Sequence, residues 1–157
     1  MNLYMKQRVF SWNDRFTIYD ANGQDRFYVE GELLSWGKKL HLYDAVDNEI
    51  AYIHQKVLSF LPRYFVFKND EQVAEIKREF RFFKHEYTVN GLGWKVYGDF
   101  FDHEYEITDG GVTIARVTKE WFTLGDAYQI YISDQVDLAS ALAVVLVIDA
   151  CLDSDND

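Results

Sequence analysis

The sequence predicts a mainly β domain, a closed antiparallel barrel of about twelve strands wound around a central hydrophobic C-terminal α-helix. Three observations carry this. From Arg15 to Ser133, short alternating runs are separated by turn residues, the pattern of all-β sandwiches and barrels. The opening strands of these runs begin at Phe16, Leu40, Tyr64, Tyr87, Tyr105 and Tyr128, mostly in steps of 23 or 24 residues, and such a period means one supersecondary unit used repeatedly. The third observation is Leu138–Ile148, eleven residues with one hydroxyl and no charge.

The repeating unit reads as a hairpin. Phe16-Thr17-Ile18-Tyr19 turns through Asp20–Asp25 and returns as Arg26-Phe27-Tyr28-Val29. Leu40–Tyr43 turns through Asp44–Asn48 and returns as Ile50–Ile53. Tyr64–Phe67 turns at Asn69-Asp70-Glu71 and returns at Val73–Ile76. Tyr87–Val89 turns through Asn90–Gly93 and returns at Trp94–Tyr97. Tyr105–Ile107 turns at Asp109-Gly110-Gly111 and returns at Ile114–Val117, and Tyr128–Ile132 closes the series. Strand alternation places Phe16, Ile18, Leu40, Leu42, Tyr64, Val66, Tyr87, Val89, Tyr105 and Ile107 on one face. The return strands carry a small residue at matching positions, Ala51, Ala74 and Ala115, which leaves room on that inner face.

A barrel of this width is not filled by its own side chains, and the apolar C-terminal segment is the filler, as in a can with a central helix. As a helix, eleven residues span about 16 Å, short of the roughly 30 Å of a bilayer core, so the segment is not transmembrane. Val144, Val145, Val147 and Ile148 would also suit a buried strand. Length, the Ala and Leu content of its start, N-caps at Ser133 and Asp134, and Asp137 in the first turn favour a helix over about 134–152. Asp149 and Asp153 fall near the negative end of its dipole and are expected in solvent at the barrel mouth, with an acidic tail at 153–157. The whole chain, 1–157, is read as one domain.

Composition narrows function mainly by exclusion. Aromatics make up 17% and hydrophobic residues 48% of 157 residues, which excludes a disordered chain. The single Cys151 excludes an internal disulfide framework and reads as an inert packing thiol. The N-terminus lacks the apolar core of a signal peptide, and the expected location is cytoplasmic, with peripheral membrane attachment as an extension. The net charge of −10 is uneven: residues 1–95 hold 14 Lys and Arg against 13 Asp and Glu, residues 96–157 two against 13. An acidic total argues against general nucleic-acid binding, while leaving room for a basic patch in the first half.

Several segments together resemble the LURP-one-related family. They are Leu3-Tyr4-Met5-Lys6-Gln7, Phe16-Thr17-Ile18-Tyr19-Asp20, Tyr28-Val29-Glu30-Gly31-Glu32, Ser59–Tyr64, Gly91-Leu92-Gly93-Trp94, Asp109-Gly110-Gly111 and the late apolar helix. The family belongs with the tubby C-terminal-like and phospholipid scramblase proteins, and the likeness is to a bacterial single-domain member. It implies a twelve-strand barrel around a hydrophobic helix. It also implies kinship to phosphoinositide-binding modules, and it implies little about activity.

Catalytic and metal signals are weak. The chain has no nucleophile elbow, no phosphate loop and no zinc-helix motif. His41, His54, His85 and His103 are scattered and read as strand-edge residues rather than ligands. Asp153-Ser154-Asp155 starts like a calcium loop and then stops. No enzyme activity, cofactor or metal is expected. The candidate binding residues are Lys77, Arg78, Arg81 and Lys84, four cations interleaved with Phe80, Phe82 and Phe83, the mix that meets anionic headgroups beside an apolar surface. Alternation puts Lys77 and Arg78 on opposite faces, and Glu75, Glu79 and Glu86 dilute the charge. Under a structural reading the Phe residues plug the barrel and the cations are solvated. A second basic set, Lys38, Lys39, Lys56 and Arg63, depends on strand register. Trp36, Trp94 and Trp121 read as core or mouth residues.

The expected function is a monomeric, non-enzymatic binding module for an anionic lipid headgroup, phosphoinositide-like, or another phosphorylated ligand. The alternative is a protein-interaction or scaffold domain whose acidic second half, at Asp99, Asp102, Glu104 and Glu106, meets a basic partner.

Overall fold

The computed structural model describes residues 1–6, 15–32, 35–81, 84–100, 102–122 and 125–155. Twelve antiparallel strands are followed by one helix: β1 (Asn2–Lys6), β2 (Phe16–Asp20), β3 (Asp25–Gly31), β4 (Lys39–Asp44), β5 (Glu49–Gln55), β6 (Arg63–Lys68), β7 (Glu71–Arg81), β8 (Lys84–Asn90), β9 (Trp94–Asp99), β10 (Glu104–Asp109), β11 (Val112–Phe122), β12 (Gly125–Ile132) and α1 (Leu138–Asp155). Each strand pairs with its sequence neighbours, and β1 pairs with both β2 and β12, which closes the barrel. The seam is locked at the chain start. The Met1 ammonium donates to the Ile132 carbonyl at 2.7 Å, and the Ile132 N–H donates to the Met1 carbonyl at 2.9 Å.

The alternation in the sequence becomes the lining of the barrel. All ten residues assigned to the inner face are buried, from Phe16 through Ile107. Ala51, Ala74 and Ala115 are buried too, and each sits in register with a large inward residue, Leu42, Val66 and Ile107 respectively. A β-bulge follows that large residue in all three hairpins, and another follows Ile18 in the first. One extra residue on the bulged strand sharpens the local twist and bends the wall toward closure.

Helix α1 occupies the lumen. From Ala139 to Leu152 every residue is buried, and the helix packs against β5, β6, β7, β11 and β12. A helix with no polar stripe needs this enclosure on all sides. Its cap differs from the one the sequence pointed to. The helix starts at Leu138, and Asp137, rather than Ser133 or Asp134, is the N-cap: its Oδ2 accepts from the Ser140 N–H at 2.9 Å and from the Ser140 hydroxyl at 2.6 Å. The Lys68 ammonium reaches the same oxygen at 2.6 Å. Asp149, expected in solvent, is buried instead, with its Oδ1 3.9 Å from the His103 Nδ1. No helix among the described residues is long and apolar enough to cross a membrane.

The up-and-down order gives the barrel two unlike ends. The links after β2, β4, β6, β8 and β10 are tight turns at one end, called here the turn end, where α1 also enters. Asp20 Oδ1 accepts from the Asn22 and Gln24 N–H groups, and Asp44 Oδ1 accepts from Val46 and Asn48 in the same way. These Asx turns fix both hairpins. The links after β1, β3, β5, β7, β9 and β11 lie at the opposite, loop end, where α1 terminates.

Two stability predictions follow from the helix. Replacing Val145, 1% exposed, by Asp buries an unpaired charge and is expected to abolish the cooperative thermal transition seen by circular dichroism. A Val145→Asp variant that stays folded and monomeric would show that the helix is not enclosed. Asp137→Ala is expected to cost about 1 kcal/mol, the usual worth of a cap. Burial alone would raise the Asp137 pKa, but hydrogen bonds from Lys68 and Ser140 outweigh it and hold the carboxyl below its ordinary value of 3.8. The cap contribution is therefore full above that value and is lost as pH falls through the depressed one. Parallel pH–stability curves of the wild type and Asp137→Ala should converge in acid.

Candidate functional site

At the loop end, hydrogen bonds and strand register gather cations that lie far apart in sequence. The β3–β4 link is tied to β5 by a two-way clasp. The Gln55 N–H donates to the Lys38 carbonyl at 2.8 Å, and the Lys38 N–H donates to Gln55 Oε1 at 3.0 Å. The Lys56 N–H donates to the Arg63 carbonyl at 2.8 Å. Arg63 in turn stands in register with Lys77, and the Arg78 N–H donates to the Pro62 carbonyl at 3.0 Å. Lys38, Lys39, Lys56, Arg63 and Lys77 thus form a band across β4, β5, β6 and β7. Three carboxylates interleave with it: Lys39 lies 3.6 Å from Glu32, Arg63 3.2 Å from Glu75 and Lys77 3.5 Å from Glu79. Lys39, Arg63 and Lys77 are thus each held by one of these acids, on a chain that is acidic as a whole. Lys56 is exposed.

Of the four cations singled out in the sequence, Lys77 joins this band. Arg78, one residue on, shares the phase of Ala74 and Ile76 and is buried at 8% exposure. Its charge is close enough to oppose the rise that burial imposes on the Tyr64 phenol. Arg81 and Lys84 pair with one another across β7 and β8, and their side chains lie outside the described residues. Phe80 is half-exposed and does not plug the lumen, whereas Phe82 and Phe83 lie outside the described residues. Trp94 is a core residue, Trp36 stands almost fully exposed in the β3–β4 link, and the Trp121 side chain is outside the described set.

The structure adds one feature that the sequence did not reveal. On the outer wall, register lines up His41, Tyr52 and Phe67 as one rung across β4, β5 and β6. Tyr52 packs on His41 at 4.9 Å and on Phe67 at 5.9 Å between ring centroids. The groove above this rung, about 630 Å³, is also lined by Glu49, His54, Asn69 and Asp70. Both His41 nitrogens meet carboxylates, Nε2 at 2.8 Å from Glu32 and Nδ1 at 3.1 Å from Glu49. Only the imidazolium can donate to both. The signal was present as outward alternate positions, but three strands had to be aligned to read it.

The remaining candidates do not converge. His103 lies beside Asp149 and packs on Tyr128 at 5.5 Å, while His41 and His54 are on the outer wall. No group of three metal-ligating side chains forms among the described residues. Cys151 is buried. The acidic residues of the second half divide. Asp99, Asp102 and Glu104 are exposed around the β9–β10 link, whereas Glu106 is engaged by Arg116 at 2.8 Å and by Thr113 at 3.1 Å.

The His41 clasp has a testable pH signature. Burial lowers the His41 pKa, but the hydrogen bonds that its ring donates to Glu32 and Glu49 outweigh it and raise the value above 6.5. Its stabilisation is full below the ordinary value and is lost as pH rises through the raised one. Thermal melts should show the wild type more stable than His41→Gln near neutrality, with the gap closing in alkali. A gap independent of pH would mean that packing on Tyr52, rather than charge, is what His41 provides.

Comparison with known proteins places this geometry in a family. The model for the LURP-one-related family matches residues 1–149. The chain is 35% identical to the uncharacterized protein YxjI of Bacillus subtilis over 157 residues, covering 100% of this chain and 97% of that one. Its fold is similar to the X-ray structure of an Arabidopsis thaliana protein, with a TM-score of 0.63 and 17% identity over 99% of this chain and 92% of that chain. The twelve-strand barrel threaded by a hydrophobic helix, together with a family match over nearly the full length, shows that the chain belongs to the LURP-one-related family.

Proposed function

We propose that the chain is a non-enzymatic module that binds an anionic lipid headgroup, working as a peripheral protein at the cytoplasmic face of a membrane. The observation that supports this reading is the register that sets Lys38, Lys56, Arg63 and Lys77 side by side at the loop end. A phosphate-bearing group is recognised by several cations held at fixed spacing on a rigid frame, and a closed barrel is such a frame. Lys77 carries over from the four residues singled out in sequence. Arg81 and Lys84, farther along the same strand pair, extend the basic run by backbone register. Arg78, turned toward the lumen, supports the rim from behind. A binding role also agrees with the occupied lumen: helix α1 fills the space in which a barrel enzyme would hold its substrate.

The test is retention on vesicles of phosphatidylcholine with phosphatidylserine or a phosphoinositide, beside titration with a soluble inositol phosphate. The wild type is expected to be retained on anionic vesicles and released as salt rises, because screening shortens the reach of the cations. Changing Lys38, Lys56, Arg63 and Lys77 together to Ser should weaken retention by more than about tenfold, since each basic residue near such a surface contributes about 1 kcal/mol. Binding of the soluble headgroup without vesicle retention would assign the band to a free phosphorylated ligand. Binding of neither would sink the proposal.

A further inference from the structure

The loop end carries a second feature beside the basic band. Trp36 is 84% exposed, Leu58 100% and Phe60 101%. Val46 and Val112, also exposed, lie at the turn end on separate hairpins, and scattered apolar residues of this kind are ordinary on a protein surface. These three are grouped. A Cβ on Gly37, next to Trp36, would lie 3.1 Å from the Val57 side chain, next to Leu58. The β3–β4 link is clasped to β5 through Lys38 and Gln55, and the β5–β6 link is tied to β7 through Pro62 and Arg78. The two apolar tips are therefore neighbours on a fixed part of the rim.

Leu58 is the most telling of the three. Its φ is +61°, a left-handed backbone that costs a non-glycine residue energy and suits Gly or Asn. Full exposure also forgoes the gain that burying an apolar side chain would bring. Nothing in the packing of the barrel calls for Leu there. The neighbours in sequence and space are cations: Lys38 follows Trp36 and Gly37, Lys56 precedes Leu58, and Arg63 follows Phe60, Leu61 and Pro62. An apolar tip with an aromatic ring, flanked by Lys and Arg, matches a bilayer interface, where rings sit at headgroup depth and ammonium groups meet phosphates.

We infer that Trp36, Leu58 and Phe60 insert into the headgroup and upper acyl region of an anionic bilayer, with Lys38, Lys56 and Arg63 seated on the lipid phosphates. This rests on the lipid reading above and deepens it, because the partner becomes the bilayer itself rather than a detached headgroup. The barrel would then stand on the membrane by its loop end, with the turn end pointing away.

The test uses the full chain, the triple variant Trp36→Ser, Leu58→Asn and Phe60→Ser, and Val112→Ser as a control for loss of exposed apolar area elsewhere. Asn accepts the left-handed backbone, so the triple variant is expected to fold, which circular dichroism and a melt check. On phosphatidylcholine–phosphatidylserine vesicles its retention should drop by about tenfold or more, and Val112→Ser should match the wild type. Acyl-chain-brominated lipid should quench wild-type Trp fluorescence more than that of Trp36→Phe. Wild-type retention by the triple variant, or equal quenching in Trp36→Phe, overturns the insertion. If the four-cation variant still loses binding in that case, the headgroup reading stands alone. Retention on neutral vesicles that requires Trp36, Leu58 and Phe60 would support insertion and remove the need for anionic lipid. A wild type that is dimeric without lipid, with a monomeric triple variant, would give the surface to a second copy and overturn the proposal.

Discussion

The structure depends on enclosing a helix that has no polar side. From Ala139 to Leu152 every residue is buried and, Ser140 and Asp149 apart, apolar, so the barrel around it has to close. Closure rests on the first residues of the chain, where β1 bridges β2 and β12 and the Met1 backbone exchanges hydrogen bonds with Ile132. The wall is fitted to the helix by alternating large and small inward residues, with Ala51, Ala74 and Ala115 opposite Leu42, Val66 and Ile107. Even the polar groups inside serve the helix. The Tyr105 hydroxyl donates to the Val145 carbonyl at 3.2 Å in the buried interior, and burial drives its pKa well up, so it stays a neutral donor.

A filled lumen leaves the outside of the barrel as the surface open to contact, and the outside is not uniform. The turn end is short, polar and fixed by Asx turns at Asp20 and Asp44, and it receives the capped start of the helix. At the loop end the β3–β4 and β5–β6 links are longer and hold the exposed aromatic and aliphatic tips beside the basic band, while on another arc Asp99, Asp102 and Glu104 are exposed. The same topology that makes the core repetitive makes the two rims different.

How much of this was legible depends on the distance over which each feature is encoded. Period-two alternation is local, and the inward assignments from Phe16 to Ile107 agree with the burial found. The helix is also a local signal, but its start is not: Asp137 is selected as cap because Lys68, from β6, completes its hydrogen bonding. Asp149 was placed in solvent by its position near a helix end, whereas the barrel extends past it and His103 lies beside it. The basic band was least legible. Lys38, Lys56, Arg63 and Lys77 meet only through pairings between four strands, and the run that looks basic in sequence is split by alternation, with Lys77 outside and Arg78 inside. Trp36, read from sequence as a core or mouth residue, stands exposed in the β3–β4 link; among so many buried aromatics its exposure had no local signal.

The charge distribution bears on how such a protein could meet an anionic surface. A net charge of −10 would repel that surface at long range. At physiological ionic strength, however, the screening length is about 8 Å, shorter than the 18-residue helix inside the barrel, which spans about 27 Å. Acids at the turn end are then largely invisible to a membrane touching the loop end, which meets Lys38, Lys56, Arg63 and Lys77 with their interleaved carboxylates and, on another arc, the exposed Asp99, Asp102 and Glu104. Glutamates at 3.2–3.6 Å from Arg63, Lys39 and Lys77 offset much of that positive charge. Electrostatics of this size orients the barrel better than it holds it. Under the lipid proposal a short-ranged, salt-resistant term would be required as well, and the exposed Trp36, Leu58 and Phe60 would supply it at the place where the charge would direct the first contact.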